Sequence, residues 1–302
     1  MKRLCGVGLL LALPLAAQAP VGLLSSVRGT VQIVRAGQTA PVAAKMADLI
    51  GPGDRLITGP NSEAVFLYCP DPRSARLPAG GEVVFAATAL QVRRGKLADE
   101  RKTAGCRLPA TLALAASSQQ QVGLVKTRPL GLVTQRAPVG GTFIPENRPV
   151  FRWQPVEGAK SYDIRVTDRE EQTLFKTTVT GTEITYPAEA PALAAGRKYW
   201  WRVVARDGEE NLSEANNSFQ TMSDTQAKEF KAAEADLKKQ IAATPADSGP
   251  KILLAFLYEE YGMWDLAARA YDDLSRQIGE NDWLKVRLYT AMGKLGWERV
   301  DR

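Results

Sequence analysis

The 302-residue sequence contains no histidine. That absence removes Ser-His-Asp and Cys-His nucleophilic catalysis and every imidazole-ligated metal centre. Cysteine is nearly as scarce. The three residues, Cys5, Cys69 and Cys106, are too few for a zinc ribbon or an iron–sulfur cluster. No apolar run reaches the ~20 residues that a membrane-spanning helix needs. The sequence also lacks a G-x-G-x-x-G, a P-loop, a G-x-S-x-G and a calcium-loop spacing. No S-x-x-K opens a helix, so the Ser-Lys dyad, a hydrolase device that works without histidine, has no candidate. Asp265, Asp272 and Asp273 have the spacing of a solvated helix face, and Asp99-Glu100 adjoins Arg101-Lys102 as surface sequence. Carboxylates far apart in sequence can still meet in a fold, which leaves a glycosidase-like pair open. The balance is against an enzyme and against any cofactor or metal.

The first residues set a compartment. Met1-Lys2-Arg3 is basic, Leu4 to Ala17 is almost wholly apolar, and Ala17-Gln18-Ala19 is an A-x-A site. This is the layout of a secretory signal peptide over residues 1–19. Cleavage after Ala19 leaves Pro20 at the new N-terminus, with cleavage after Ala17 as the alternative. Cys5 lies too early for a lipoprotein cysteine. The expected mature chain is exported, periplasmic or envelope-associated, and has no transmembrane segment. It keeps Cys69 and Cys106, which an oxidising compartment can join in one intramolecular bridge. Two buried thiols or an intermolecular link are the alternatives.

Charge is uneven. Residues 20–110 carry 12 Lys/Arg against 7 Asp/Glu, whereas the C-terminal half is slightly acidic. The densest cluster is Arg93, Arg94, Lys96, Arg101 and Lys102. Such a patch suits an anionic lipid or polymer, with nucleic acid the least fitting partner for an exported chain. A solvated face with Asp99 and Glu100 interleaved is the plainer alternative.

Residues 20–110 read as strands. Val27 to Arg35 alternates apolar and polar residues, and Ala64–Tyr68, Glu82–Phe85 and Leu90–Arg93 are short apolar or alternating runs. Gly/Pro/Asn/Asp clusters separate them, as in an all-β unit. Gly29-x-Val31-x-Ile33, followed by Gly53-Asp54-Arg55-Leu56-Ile57-Thr58-Gly59-Pro60-Asn61-Ser62-x-Ala64, resembles the FecR domain over about residues 24–100. The resemblance implies an extracytoplasmic β-module used for protein contact or sensing. Family members signal to a sigma factor across a membrane, and the lack of an internal transmembrane helix sets this chain apart from that plan.

Residues 111–137 read as a linker, with Ser117-Ser118-Gln119-Gln120-Gln121 the clearest stretch and Val122 to Val133 a candidate extra strand. Residues 138–222 form a second β-unit of about seven short strands, which suggests a sandwich. Asp168-Arg169-Glu170-Glu171 fits a hairpin turn, and Phe219 falls in a last short strand. Asn211-Leu212-Ser213 and Asn216-Asn217-Ser218 read as polar turns. The unit resembles a fibronectin type III or Ig-like domain, with Trp153 at the core tryptophan and Leu193-x-x-Gly196-x-x-Tyr199-x-Trp201-x-Val203 as the tyrosine-corner strand. Alternation puts Tyr199, Trp201 and Val203 on the core face and Trp200 on the other, where it is a candidate surface contact.

From residue 223 the period becomes helical. Ser223-x-x-Gln226 has the form of a capping box. Phe230, Leu237 and Ile241 share a face, and Pro245 and Gly249-Pro250 are expected to stop that helix. Leu254, Ala255, Tyr258, Gly262, Ala267, Tyr271 and Leu274 have a spacing similar to that of a tetratricopeptide repeat, with Gly262 at the turn. A further helix runs from about Asn281 to Leu295. A free solenoid needs about three repeats, so these helices are expected to cap one another, dock on the sandwich or extend a partner's array. Tyr258, Trp264 and Tyr271 are the aromatic candidates for a groove.

The expected architecture is thus multidomain and mainly β, then α: a FecR-like all-β domain, an Ig/fibronectin-like sandwich and a tetratricopeptide-like tail at 223–302. The expected function is a non-catalytic binding or scaffold protein of the bacterial envelope. Its partners would be envelope proteins or an anionic envelope polymer. A periplasmic sensor and an envelope hydrolase are the alternatives.

Overall fold

The computed structural model describes residues 19–103, 106, 108, 135–279 and 282–295. The expected signal peptide up to residue 18 and most of the expected linker, including the Val122–Val133 strand, lie outside them. The described residues form two β-sandwiches and a helical unit.

The first sandwich contains β1 (Gly22–Arg28), β2 (Val31–Val34), β3 (Pro41–Ala43), β4 (Leu49–Ile50), β5 (Arg55–Thr58), β6 (Glu63–Tyr68), β7 (Arg73–Leu77), β8 (Glu82–Phe85), β9 (Leu90–Arg94) and β10 (Ala98–Lys102). One sheet has the order β10-β7-β6-β1-β4 and the other β3-β2-β5-β8-β9. Leu24, Phe66, Tyr68, Leu56, Val83 and Phe85 fill the space between them. The single strand expected from Val27 to Arg35 is broken. β1 belongs to one sheet and β2 to the other, and the chain crosses at Gly29. Gly29 has φ +72°, and a Cβ there would stand 2.5 Å from Ser62 Oγ, so only glycine fits the crossing.

Three buried polar side chains hold the neighbouring turns. The Asp54 carboxylate accepts from the N–H groups of Ala36 (2.8 Å) and Gly51 (2.9 Å) and from Arg35 (2.8 Å). Thr58 Oγ1 accepts from Gly81 N–H at 2.8 Å and donates to the Pro78 carbonyl at 2.5 Å. Ser62 Oγ accepts from Thr30 N–H and donates to the Pro60 carbonyl, both at 2.9 Å. Buried backbone groups in these turns thus find partners without a sheet ladder. The Cys69–Cys106 disulfide, with Cα atoms 5.0 Å apart, joins the end of β6 to the chain beyond β10.

The second sandwich begins inside the expected linker, because residues 135–137 pair with its core. Its strands are β11 (Gln135–Ala137), β12 (Thr142–Ile144), β13 (Val150–Trp153), β14 (Ser161–Thr167), β15 (Thr173–Val179), β16 (Glu183–Thr185), β17 (Lys198–Asp207) and β18 (Glu210–Thr221). The sheets are β11-β13-β16 and β12-β18-β17-β14-β15. Trp153, Tyr199, Trp201 and Val203 are buried as alternation predicts. Tyr199 Oη accepts from Ala194 N–H at 2.8 Å, the local bond of a tyrosine corner. The two Asn-x-Ser stretches expected as turns lie within β18, a twelve-residue strand. Their polar residues pair along β17, so backbone pairing outweighs their turn preference.

The helices are α1 (Asp224–Ala243), α2 (Ser248–Glu260), α3 (Trp264–Ile278) and α4 (Asp282–Leu295). Ser223 and Gln226 close the expected capping box on α1. Gly249-Pro250 does not stop that helix. The pair sits in the first turn of α2, where proline's missing N–H has no intrahelical partner to lose. Asp247 caps this helix through Gly249 N–H at 2.9 Å.

The helical unit packs on both sandwiches. Leu23 and Leu67 of the first, Val139 and Met222 of the second, and Phe230, Leu253, Phe256 and Tyr258 of the helices share one apolar cluster. A β-bulge between Leu24 and Ser26 interrupts the β1 register, and the Ser25 carbonyl accepts from buried Ser248 Oγ at 2.6 Å. At the second sandwich, Phe143 N–H donates to the Tyr261 carbonyl and Thr142 Oγ1 to the Gly262 carbonyl, both at 2.8 Å. Gly262 has φ +63°, and a Cβ there would stand 2.5 Å from the Gly141 carbonyl oxygen.

Gly262→Ala is therefore expected to destabilise the chain by roughly 1–3 kcal/mol. It should also speed hydrogen exchange at Phe143 N–H, measured by urea unfolding and exchange mass spectrometry. Reduction of Cys69–Cys106 is expected to cost roughly 2–4 kcal/mol, read as a lower unfolding midpoint with reductant than without.

Candidate functional site

The basic cluster lies on the open side of the first sandwich. Arg93 and Arg94 are exposed on β9, an edge strand of one sheet, and Lys96 is exposed just beyond it. Arg101 and Lys102 lie on β10, an edge strand of the other sheet. The cluster thus spans both sheets rather than one strand. Asp99 and Glu100, interleaved in the sequence, pair instead with Arg76 (2.6 Å) and Arg73 (2.9 Å). Arg94 lies 3.7 Å from Glu82, and Arg93 donates to Gln91 at 3.0 Å. β10 has no apolar alternation, which is why sequence reading misses it. Its pairing to β7 supplies the order.

The helical aromatics behave otherwise than expected. Tyr258 is 6% exposed and Tyr271 is fully buried, so neither lines a groove. Tyr258 Oη donates to Glu234 at 2.8 Å, while Tyr271 Oη donates to Glu259, which pairs with Arg287 at 2.7 Å. Burial, then the neighbouring carboxylates, push both phenols above their ordinary range. Trp283 of α4 packs edge-on to Phe256 (5.7 Å) and Tyr271 (6.1 Å). Trp264 is half-buried, with Lys294 Nζ 5.7 Å from its ring. Trp200 is half-buried on the outward face of β17, and Lys198 Nζ stands 5.2 Å from its ring centroid.

Two further features lie where the second sandwich meets the helices. A cleft of about 590 Å³ is lined by Pro145, Asn147, Leu193, Met222, Lys228 and Lys231. Beside it, burial raises the acid of Glu146, Lys231 opposes that rise and Glu234 adds to it. Arg152 of β13 faces buried Asp265 of α3 at 3.9 Å, an ion pair across the joint. Among the described residues, no group of three or more His, Cys, Asp or Glu is placed to hold a metal ion.

Residues 136–222 match the family model described as Rha78A-like, N-terminal immunoglobulin domain. The second sandwich is therefore an Ig-like domain. No curated protein matches the chain. Among solved structures, the chain is similar to the fn3 domain of human collagen alpha-1(XX) chain at 23% identity, over 32% of this chain and 89% of that one, with TM-score 0.25. It is also similar to the chicken CNTN1 FN1–FN3 domains (11%, 68% and 64%, TM-score 0.23). A third is the beta-1,2-glucanase from Parabacteroides distasonis (13%, 86% and 49%, TM-score 0.27).

Burial raises the acid of Asp265 above the ordinary value of 3.8, against the pull of Leu266 N–H, Arg152 and Arg269. The folded state then holds this proton more tightly than the unfolded state, so stability falls as pH climbs from 3.8 through the raised value. Asp265→Asn is expected to flatten that part of the profile, measured by urea unfolding between about pH 4 and pH 7.

Proposed function

We propose that the chain is an exported, non-catalytic binding or scaffold protein of the bacterial cell envelope, which contacts envelope proteins or an anionic polymer through its β-modules. One observation carries the reading. The helical groove candidates Tyr258 and Tyr271 are committed to internal contacts, so the exposed cationic candidates for recognition are those of the sandwiches. Asp265, Ser248 and Thr142 all act between modules. Tyr258 and Tyr271 are inside the core.

The Ig-like domain fits such a role, because modules of this kind build surfaces on which sites are placed. Residues 1–19 support export by their signal-peptide layout. The resemblance of residues 24–100 to the FecR domain supports an extracytoplasmic location. The tetratricopeptide-like spacing of the tail is, on this reading, a packing pattern, with Trp283 of α4 against Phe256 and Tyr271. The disulfide agrees with an oxidising compartment.

Deleting residues 223–302 would uncover Leu23, Leu67, Val139 and Met222 together, so surface substitutions make the cleaner test. The full-length protein is expected to co-sediment with isolated envelope fractions, to release no soluble product from them, and to detach as salt is raised. Arg93→Glu/Arg94→Glu is expected to weaken co-sedimentation about tenfold, with only a small fall in the unfolding midpoint from the acid placed opposite Glu82. Retention equal to wild type would remove this edge from the binding surface, and steady product release would replace the scaffold reading with a hydrolase.

A further inference from the structure

The outward face of the second sandwich carries a row of cations that sequence order conceals. Lys176 on β15 lies directly opposite Arg165 on β14, Arg165 opposite Arg202 on β17, and Arg202 opposite Asn216 on β18. Directly opposed residues share a face. Ile164, Val166, Trp201 and Val203 take the core face, so Lys176, Arg165 and Arg202 point outward. Neighbouring strands lie roughly 4.7–4.9 Å apart, which sets the spacing of the row. Like charges directly opposed across strands destabilise a sheet. Only Arg202 has an acid, Glu214. The Arg165 and Lys176 side chains are exposed and have no hydrogen-bond or ion-pair partner among the described residues. The nearby Asp163 is held by Arg206 and Thr178.

One step along β17 stands Trp200, with Thr167 and Ser218 as its cross-strand neighbours and Lys198 over its ring. The face thus combines an indole, a row of cations, and hydroxyl and amide side chains from Thr167, Ser218 and Asn216. The exposed large hydrophobic residues, Val42, Val92 and Val286, all lie elsewhere.

We infer that this sheet face binds an anionic polysaccharide. Lys198 swings off the Trp200 ring to meet a carboxylate, a sugar ring stacks in its place, and further carboxylates along the chain meet Arg202, Arg165 and Lys176. Extended glycan laid across the strands supplies the anions that the opposed cations lack. The inference rests on the binding-protein reading and adds a site and a ligand class to it.

The probe is polygalacturonate, with neutral dextran and poly-glutamate as comparators, titrated against the full-length protein at fixed salt. Wild type is expected to bind polygalacturonate above both comparators. Arg165→Gln/Lys176→Glu is expected to weaken binding about tenfold. Trp200→Ala should weaken it several-fold. Lys176→Glu alone puts an acid opposite Arg165, so its unfolding midpoint should hold or rise while binding falls, which separates lost binding from lost fold.

Equal binding to dextran, or no effect of the double variant, overturns the inference. Equal binding to poly-glutamate with no effect of Trp200→Ala also overturns it, in favour of an acidic polypeptide. If Arg93→Glu/Arg94→Glu abolishes polygalacturonate binding and the double variant does not, the sheet-face site falls while the polymer-binding reading stands. Binding to none of the three polymers overturns the site and leaves the envelope co-sedimentation as the separate measure of the wider reading.

Discussion

The helical unit cannot bury its apolar faces by itself. Four short helices leave Phe230, Leu253, Phe256 and Met263 to be covered, and the cover includes Leu23 and Leu67 from one sandwich and Val139 and Met222 from the other. This shared cluster is the constraint on which the arrangement of the molecule depends. Apolar burial of this kind is non-directional, so geometry comes from the polar contacts around it. Ser248 reaches the carbonyl that the β1 bulge exposes, and Phe143 and Thr142 reach the carbonyls of the turn at Gly262. The close approach at that turn requires a residue without a side chain.

That constraint redirects the search for function. A two-helix hairpin with small residues at its crossing invites the expectation of a peptide groove. Here Trp283 packs on Phe256 and Tyr271, and the tyrosines that the sequence singles out donate to internal carboxylates. The candidate cations that stay exposed lie on the edge strands of the first sandwich and the outward face of the second. The two candidate surfaces differ in kind. The edge of the first sandwich gathers its cations from a hairpin that changes sheets. The face of the second gathers them from three strands through register.

Where one face of a strand is buried, alternation made the fold legible. Tyr199, Trp201 and Val203 lie inside and Trp200 outside, as their spacing indicates. Asp54, Thr58 and Ser62 bond backbone groups 18, 23 and 32 residues away, which only the fold brings near. β10 and most of β18 were not legible, because their residues are polar and their order comes from the neighbouring strand. The break at Gly29 escaped an alternation test because period-2 patterning continues through a strand that changes sheets.

The sequence by itself determined what chemistry the chain can hold and which side chains face the core. Residue type and local period are sufficient for both. The absence of histidine excludes imidazole chemistry in any fold, and alternation assigns inside and outside in any sandwich. Tertiary structure decided which of the remaining groups meet. Lys176, Arg165 and Arg202 are distant along the chain and become neighbours only through strand register. Tyr258 and Tyr271 have the spacing of a groove and lose their exposure only when other helices cover them. Pairing and cover depend on contacts between distant segments, which local sequence does not encode.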